Sequence, residues 1–397
     1  MSRPERFDVV VIGAGAAGMM CAIEAGKRGR RVLVLDHAGA PGEKIRISGG
    51  GRCNFTNLEA DKTERYLGAN PRFARSALSR YTPRDFIALV ERHGVAWHEK
   101  TLGQLFCDGS AKEIIALLTA EMRAARVELH LSHPVSRLDP LEGGGFELEF
   151  SNRHVACASL VIATGGKSIP KMGSTGFAYE VARRFALQVG ETRPALVPLT
   201  FEIGLLERLK SLAGVAVDAR VAANGARFEE AMLFTHRGLS GPAVLQVSSY
   251  WREGDEIEVD MAPGLDVFEA LRTARRDNGR QGVVTVLGAH LPRRLAELLA
   301  GQQGLAGPIA DASDKKLRAL ADAVNRWRVK PVGSEGYRTA EVTLGGVDTS
   351  GLDQRTLEAK AVPGLYFIGE AVDITGWLGG YNFQWAWSSG WSAGQAA

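Results

Sequence analysis

Two glycine-rich stretches hold the residue types best suited to chemistry. In VIGAGAAG, Gly13, Gly15 and Gly18 stand in GxGxxG spacing. The first glycine permits a tight turn, the second lets backbone approach a pyrophosphate, and the third lets a helix pack closely on a strand. The N–H groups opening that helix, with the positive end of its dipole, would face the phosphates. Asp36, 18 positions after Gly18, is placed to accept hydrogen bonds from ribose hydroxyls. The second stretch, IRISGGGRCNFTN at 45–57, joins three glycines to an arginine, a cysteine and two asparagines. Its residues suit another phosphate loop, a thiol site, or a wall around whatever the first loop holds.

Periodicity gives the elements that must position these residues. FDVVVI (7–12) and RVLVLD (31–36) are continuous apolar runs, the pattern of strands buried on both faces of a parallel sheet. AAGMMCAIEAGKRG between them has helical spacing and strong helix formers, which completes a βαβ unit. The second glycine stretch lacks the strand-before, helix-after frame. It therefore reads as a wall, with Gly49, Gly50 and Gly51 bringing backbone close and Arg52 and Asn54 offering donors. Residues 84–93 and 111–126 read as amphipathic helices, and 127–163 as an antiparallel meander returning to the main sheet. After 193 come short strands. Residues 266–328 are mostly helical, with Leu317, Leu320, Ala321 and Val324 on one apolar face. From about 335, strand–turn–helix character returns. The fold class is α/β, and the order fits a Rossmann-like nucleotide-binding domain interrupted by an inserted compact β unit and a mostly helical stretch.

Composition narrows the function classes. Glycine makes up 47 of 397 residues, about 12% against a usual value of about 7%, and it clusters where backbone would meet a ligand. The net charge of +3 gives no argument for nucleic acid, and no basic–aromatic stripe runs along the sequence. No apolar run reaches the roughly 20 residues of a spanning helix, and the N-terminal run lacks a signal-peptide pattern. Cys21, Cys53, Cys107 and Cys157 show no CxxC spacing, so neither a metal site nor a disulfide framework is expected. The chain reads as a reduced, cytoplasmic protein without a membrane span.

Other segments favour FAD over NAD as the resident dinucleotide. VIATGG (161–166) and LYFIGEA (365–371) are further strands ending in glycine, and a helix opens near Tyr381. A long ligand lying across a sheet needs such scattered contacts. VVVIGAGAAGMMCAIEAGKRGRRVLVLD, KIRISGGGRCNFTN, VIATGGKSIPKMGSTGFAYEVAR, MLFTHRGLSGPAVLQ, TLGGV and LYFIGEAVDITGWLGGYNFQWAWSSGWSAG, in that order, resemble the BaiN/RdsA-type NAD(P)/FAD-dependent oxidoreductases, flavoproteins with a glutathione-reductase-like FAD fold. The resemblance covers nearly the whole chain and implies a glutathione-reductase-like, Rossmann-like FAD-binding domain (1–192 and 333–397) interrupted by an inserted β-barrel-like domain (193–264) and a small helical domain (265–332). It implies that Gly13, Gly15, Ala16 and Gly18 meet the pyrophosphate and Asp36 the ribose. Lys44, Ser48, Gly49, Gly50, Arg52 and Asn54 would line the pyrophosphate, ribityl and flavin region. Val135 would meet adenine through its backbone, and Ala163, Thr164 and Gly165 would close the adenosine side. Gly369 and Glu370 would meet the ribityl or phosphate. Gly379, Gly380, Tyr381, Asn382 and Gln384 would lie beside the isoalloxazine.

The expected activity is oxidoreduction, with hydride passing from NAD(P)H through flavin to a small apolar or unsaturated organic acceptor; the resemblance implies the carbon–carbon double bond. There is no second strand–GxGxxG–helix unit, so NAD(P)H either docks transiently or is not the donor. A tRNA-type RNA-modifying flavoprotein and a non-catalytic flavin sensor are the alternatives, the first disfavoured by the charge, so no nucleic-acid partner is expected. No residue stands out as the proton donor. Cys53 lacks a neighbouring resolving thiol and reads first as packing. His236, in LFTHRGLSGP, and Tyr381, before the last helix, are the remaining candidates.

Overall fold

The computed structural model describes residues 4–397, which fall into two compact units. One comprises the chain up to Arg193 together with Val342–Ala397; the other is Pro194–Glu341.

In the first unit, strand β1 (Glu5–Ile12) lies between β2 (Val32–Leu35) and the ten-residue strand Arg153–Ile162, all parallel. Val9, Val10 and Val11 are fully buried, as a strand covered on both faces requires. Glu128–His130 extends the sheet beyond β2, again in parallel. The strand Arg153–Ile162 divides its other edge between two partners. Residues 153–157 take the antiparallel meander Phe146–Phe150 and Arg137–Pro140, while 160–162 take Leu365–Phe367 in parallel. That second pairing returns the distant C-terminal segment to the centre of the sheet.

Helix α1 (Ala16–Lys27) follows β1 directly. The C-terminal helix Tyr381–Gly394 packs on it backbone to backbone: a Cβ at Gly390 would lie 2.4 Å from the Ala17 carbonyl oxygen, and one at Gly394 2.6 Å from that of Cys21. Helix α2 (Glu43–Gly51) runs into strand β3 (Asn54–Asn57), which pairs with Gln104–Cys107. Helix α3 (Ala74–Arg80), α4 (Pro83–Arg92) and α5 (Ala111–Ala124) complete the unit. The latter two begin in capping boxes, Thr82 with Asp85 and Ser110 with Glu113, which is why their N-termini are sharp.

The second unit carries a seven-stranded antiparallel sheet in the order Trp327–Val329, Ile257–Asp260, Ala216–Ala223, Ala226–Phe234, Gly238–Ser240, Leu199–Thr200, Gly333–Ser334. The helical stretch does not stand apart from it. The Met261 N–H donates to the Val324 carbonyl, and the Asn325 amide donates to Asp260, Ala262 and Leu265. Barrel-like and helical segments thus lie within one compact unit. Leu317, Leu320, Ala321 and Val324 are buried there.

Candidate functional site

The three glycines of the first loop do different jobs. Gly13 has φ +114°, and a Cβ on it would lie 2.4 Å from the Ala163 carbonyl oxygen. A Cβ on Gly18 would lie 1.9 Å from the Gly13 carbonyl oxygen. Both positions pack backbone on backbone. A Cβ on Gly15, by contrast, would meet nothing within 4 Å. Gly15 is where a pyrophosphate can approach, in front of first-turn amides that have no carbonyl partner inside α1. Asp36 closes β2 with its carboxylate anchored by the Ala14 and Ala38 N–H groups at 2.6 and 2.8 Å. The lone pairs left over suit ribose hydroxyls.

Ala163, whose N–H donates to the Ile12 carbonyl, continues the central strand towards the same loop. The next residue, Thr164, has a buried hydroxyl without a hydrogen-bond partner. An unpaired buried hydroxyl is costly, so its place at this strand end fits a ligand that supplies the missing bond. Val135 is half-buried on the segment leading into Arg137–Pro140.

A polar cluster ties four distant segments together. Lys44 Nζ donates to Glu370 Oε2 and Ser168 Oγ, each at 2.6 Å. Ser168 Oγ and the Thr343 N–H donate to Glu370 Oε1 at 2.8 and 2.9 Å. Thr343 Oγ1 in turn accepts from the Lys167 N–H. Lys44 and Glu370, expected separately along the ligand, are thus an ion pair with each other. Ser168 and Thr343 went unnoticed in the sequence, although both sit in glycine-bearing motifs, ATGGKS and VTLGG.

The second glycine stretch is helix then strand, the reverse of the first. Gly49, Gly50 and Gly51 all have left-handed φ, at 56°, 65° and 85°. A Cβ on Gly49 would lie 2.8 Å from the Asn54 nitrogen, whereas those on Gly50 and Gly51 would meet open space. Bare backbone therefore faces outward at two of the three. Ser48 Oγ donates to the Ile45 carbonyl, and Arg52 is exposed. Against this loop lies GGYN: a Cβ on Gly380 would lie 2.4 Å from the Thr56 carbonyl carbon and oxygen, and Asn57 Nδ2 donates to the Gly379 carbonyl. The Asn54 amide sits 3.2 Å from that of Gln104, whose side chain also touches Gly379.

Two residues expected beside the isoalloxazine are tied into the protein through their side-chain amides. Gln384 is fully buried; its amide accepts from Thr56 Oγ1 and donates to the Tyr81 carbonyl and Ser388 Oγ. Enclosed in this way, its side chain offers no surface to a ligand. The Asn382 amide clamps Gly376, accepting from its N–H and donating to its carbonyl. It positions the Trp377–Gly380 turn. Gly369, with φ +65°, is held by Ser389 Oγ and Trp385 Nε1. Tyr381 opens the fourteen-residue C-terminal helix.

Cys53 and Cys107 flank the Asn54–Phe106 pair, where the Cys107 N–H donates to the Arg52 carbonyl, and both are free and buried. Burial pushes the Cys53 thiol up and Cys107 up to about 12. Burial thus disfavours the thiolate at both positions. His236 is exposed at a hairpin tip of the second unit, where the Thr235 hydroxyl accepts from the Arg237 and Gly238 N–H groups.

The comparisons with known proteins agree with a flavin cradle. The family model described as the HI0933-like protein Rossmann domain matches residues 7–396. The chain is 53% identical over 98% of both chains to a ribosomal RNA dihydrouridine synthase of Escherichia coli. It is 44% identical over 96% of both to a protein of the same name from Haemophilus influenzae. A 3-dehydro-bile acid delta(4,6)-reductase of Clostridium scindens is 30% identical over 98% of both chains. Among solved structures, a 3-ketosteroid delta1-dehydrogenase of Sterolibacterium denitrificans aligns over 98% of this chain and 99% of its own, with a TM-score of 0.51 at 14% identity, which speaks for the fold alone. Together they show that the chain is a member of the HI0933-like family and an FAD-dependent oxidoreductase.

Proposed function

We propose that the chain saturates the C5–C6 double bond of a uridine in ribosomal RNA, with NAD(P)H as the reductant. The observation that carries this reading is the 53% identity, over 98% of both chains, to the Escherichia coli ribosomal RNA dihydrouridine synthase. The more distant bile-acid reductase, at 30%, acts on a small molecule by its name, so a small unsaturated acceptor is the second reading. The RNA reading replaces the expectation of no nucleic-acid partner. A net charge near zero describes the whole chain and leaves open a basic face on part of it. Free buried thiols suit a reducing, cytoplasmic setting.

When bound, FAD supplies hydride chemistry; the chain supplies orientation and electrostatics. In this proposal, Gly15 and the first turn of α1 receive the pyrophosphate, and Asp36 the ribose. Gly50 and Gly51 bring bare backbone to the ring. The first turn of Tyr381–Gly394 lends its positive dipole end to negative charge on the reduced ring. Lys44 is held in place between these regions by Glu370 and Ser168.

The test uses flavin-loaded protein, mixed anaerobically with NADH or NADPH and then with rRNA transcribed in vitro. Bleaching of the flavin, followed by addition of one H2 to a specific uridine in the mass of nuclease fragments, is the expected result. Flavin that bleaches while RNA mass stays unchanged would sink the rRNA substrate. Flavin that bleaches with neither nicotinamide would sink the donor.

A further inference from the structure

An arginine-rich face on the first unit has no part in the cradle. The turn Pro71–Phe73 runs into α3, so helical period sets Arg72, Arg75 and Ser79 along one side, all exposed. The loop 353–356 is laid against them. Gln354 Nε2 donates to the Arg72 and Phe73 carbonyls, and Arg80 Nη1 donates to the Arg355 carbonyl at 2.7 Å. Arg80 also stacks on Trp391 of the C-terminal helix, its guanidinium carbon 4.9 Å from the ring centre. Burial and then the Arg355 charge lower the Arg80 pKa, a sign that positive charges are crowded here.

The positive charges are not neutralised locally. The guanidiniums of Arg72, Arg75 and Arg355 make no ion pair or hydrogen bond among the described residues. The adjoining carboxylate, Asp353, is spent on the Arg355 and Thr356 N–H groups and the Thr356 hydroxyl. Four arginines beside a half-buried tryptophan, with one acid turned to its own loop, form a surface for repeated anions. The exposed large apolar residues are Ile47, Leu58, Leu102, Ile203 and Val332. None belongs to this cluster, so it lacks the apolar anchors of a membrane-binding face.

Resting on the rRNA reading above, the geometry points to Arg72, Arg75, Arg80 and Arg355, with Trp391, as the surface that holds the RNA backbone beside the reacting uridine. Trp391 and Tyr381 share one helix, ten residues apart, or about 15 Å along its axis. A uridine turned out of its stack into the flavin cradle would leave its neighbouring phosphates within that reach. Arginine planes and an aromatic ring are what unstacked RNA is recognised by. The sequence hides this face because residues 72–80, 355 and 391 meet only in the fold.

The test compares Arg75→Gln/Arg355→Gln with a control pair on α5, Lys112→Gln/Arg123→Gln, in the flavin-loaded protein. The readouts are rRNA affinity against salt, and KM and kcat for uridine reduction. The first pair should lower the slope of log affinity on log salt by about 1.4 and raise KM about tenfold, with kcat and bound flavin unchanged. Arg75→Lys/Arg355→Lys should restore the slope, and the control pair should not alter it. If the glutamine pair matches the wild type, or the control falls equally, the surface is overturned while the rRNA substrate stands. A wild type that reduces no uridine in rRNA removes both. Loss of binding to anionic vesicles or acidic peptides, without loss for rRNA, assigns the face to another partner and overturns the inference.

Discussion

The two glycine loops bring backbone to a ligand by opposite routes. In GAGAAG only Gly13 has a left-handed φ, and the shape follows from a strand, a turn and a helix that are neighbours in sequence. In SGGGRCN, Gly49, Gly50, Gly51 and Cys53 all have left-handed φ, with a helix before and a strand after. That shape is imposed from afar, by Phe106 against Gly49 and by Gly380 against Thr56. The first loop obeys a local rule, whereas the second is a tertiary object. Damage to the first should be confined to its own turn, while the second should fail when distant residues change.

The sharpest break is Gly18→Val. Its Cβ would fall 1.9 Å from a backbone oxygen that cannot step aside. A loss of more than about 3 kcal/mol and a colourless purified protein are expected; a yellow variant with wild-type melting would refute the packing role. Gly380→Ala tests the tertiary loop. With φ +98° and a contact of 2.4 Å to Thr56, it should cost about 2 kcal/mol and loosen flavin, read from the urea midpoint and the FAD Kd. Normal flavin affinity would show that GGYN and SGGGRCN are independent. Gly15→Ala separates ligand from scaffold. Its φ of −85° is ordinary and its Cβ meets open space. Melting of the apoprotein should hold within about 0.5 kcal/mol, while FAD affinity falls about tenfold, or about 1.4 kcal/mol. Equal losses in both would make it a packing residue like Gly18.

The smallest effect is on pH. Burial pushes Cys21 up to about 12 and Cys53 in the same direction, against about 8.5 for a free thiol. The folded state therefore holds these protons where the unfolded state releases them. Their contribution is complete below pH about 8.5 and declines as pH rises towards the folded values. By pH 9 the loss should be about 0.7 kcal/mol per thiol. Denaturant midpoints at pH 7.5 and 9 should differ less in Cys53→Ala; an identical pH slope would mean that Cys53 is exposed in solution.

What could be read in advance follows the same division. The βαβ unit was legible because Val9, Val10 and Val11 and the GxGxxG turn each obey a short-range pattern. The buried face of Leu317, Leu320, Ala321 and Val324 was legible from helical period. Contacts between remote segments were not. Lys44 and Glu370 are 326 positions apart, and no local pattern announces their ion pair. The internal hydrogen bonds of Gln384 were not legible because helix position alone does not say which side chains the core consumes. The arginine face escaped because charge was weighed as a total and as a linear stripe.

The backbone contact of Gly390 and Gly394 on α1 has a consequence for the order of assembly. The phosphate turn is made from the earliest part of the chain. The helix that buttresses it, and the Gly369–Glu370 corner, arrive after the whole second unit has been synthesised. Contacts of such long sequence separation form late and slowly. During synthesis, Pro194–Glu341 can collapse on its own contacts while α1 still lacks its partner. An emerging chain therefore leaves the face of α1 that meets Gly390 and Gly394 uncovered until residue 394 is in place.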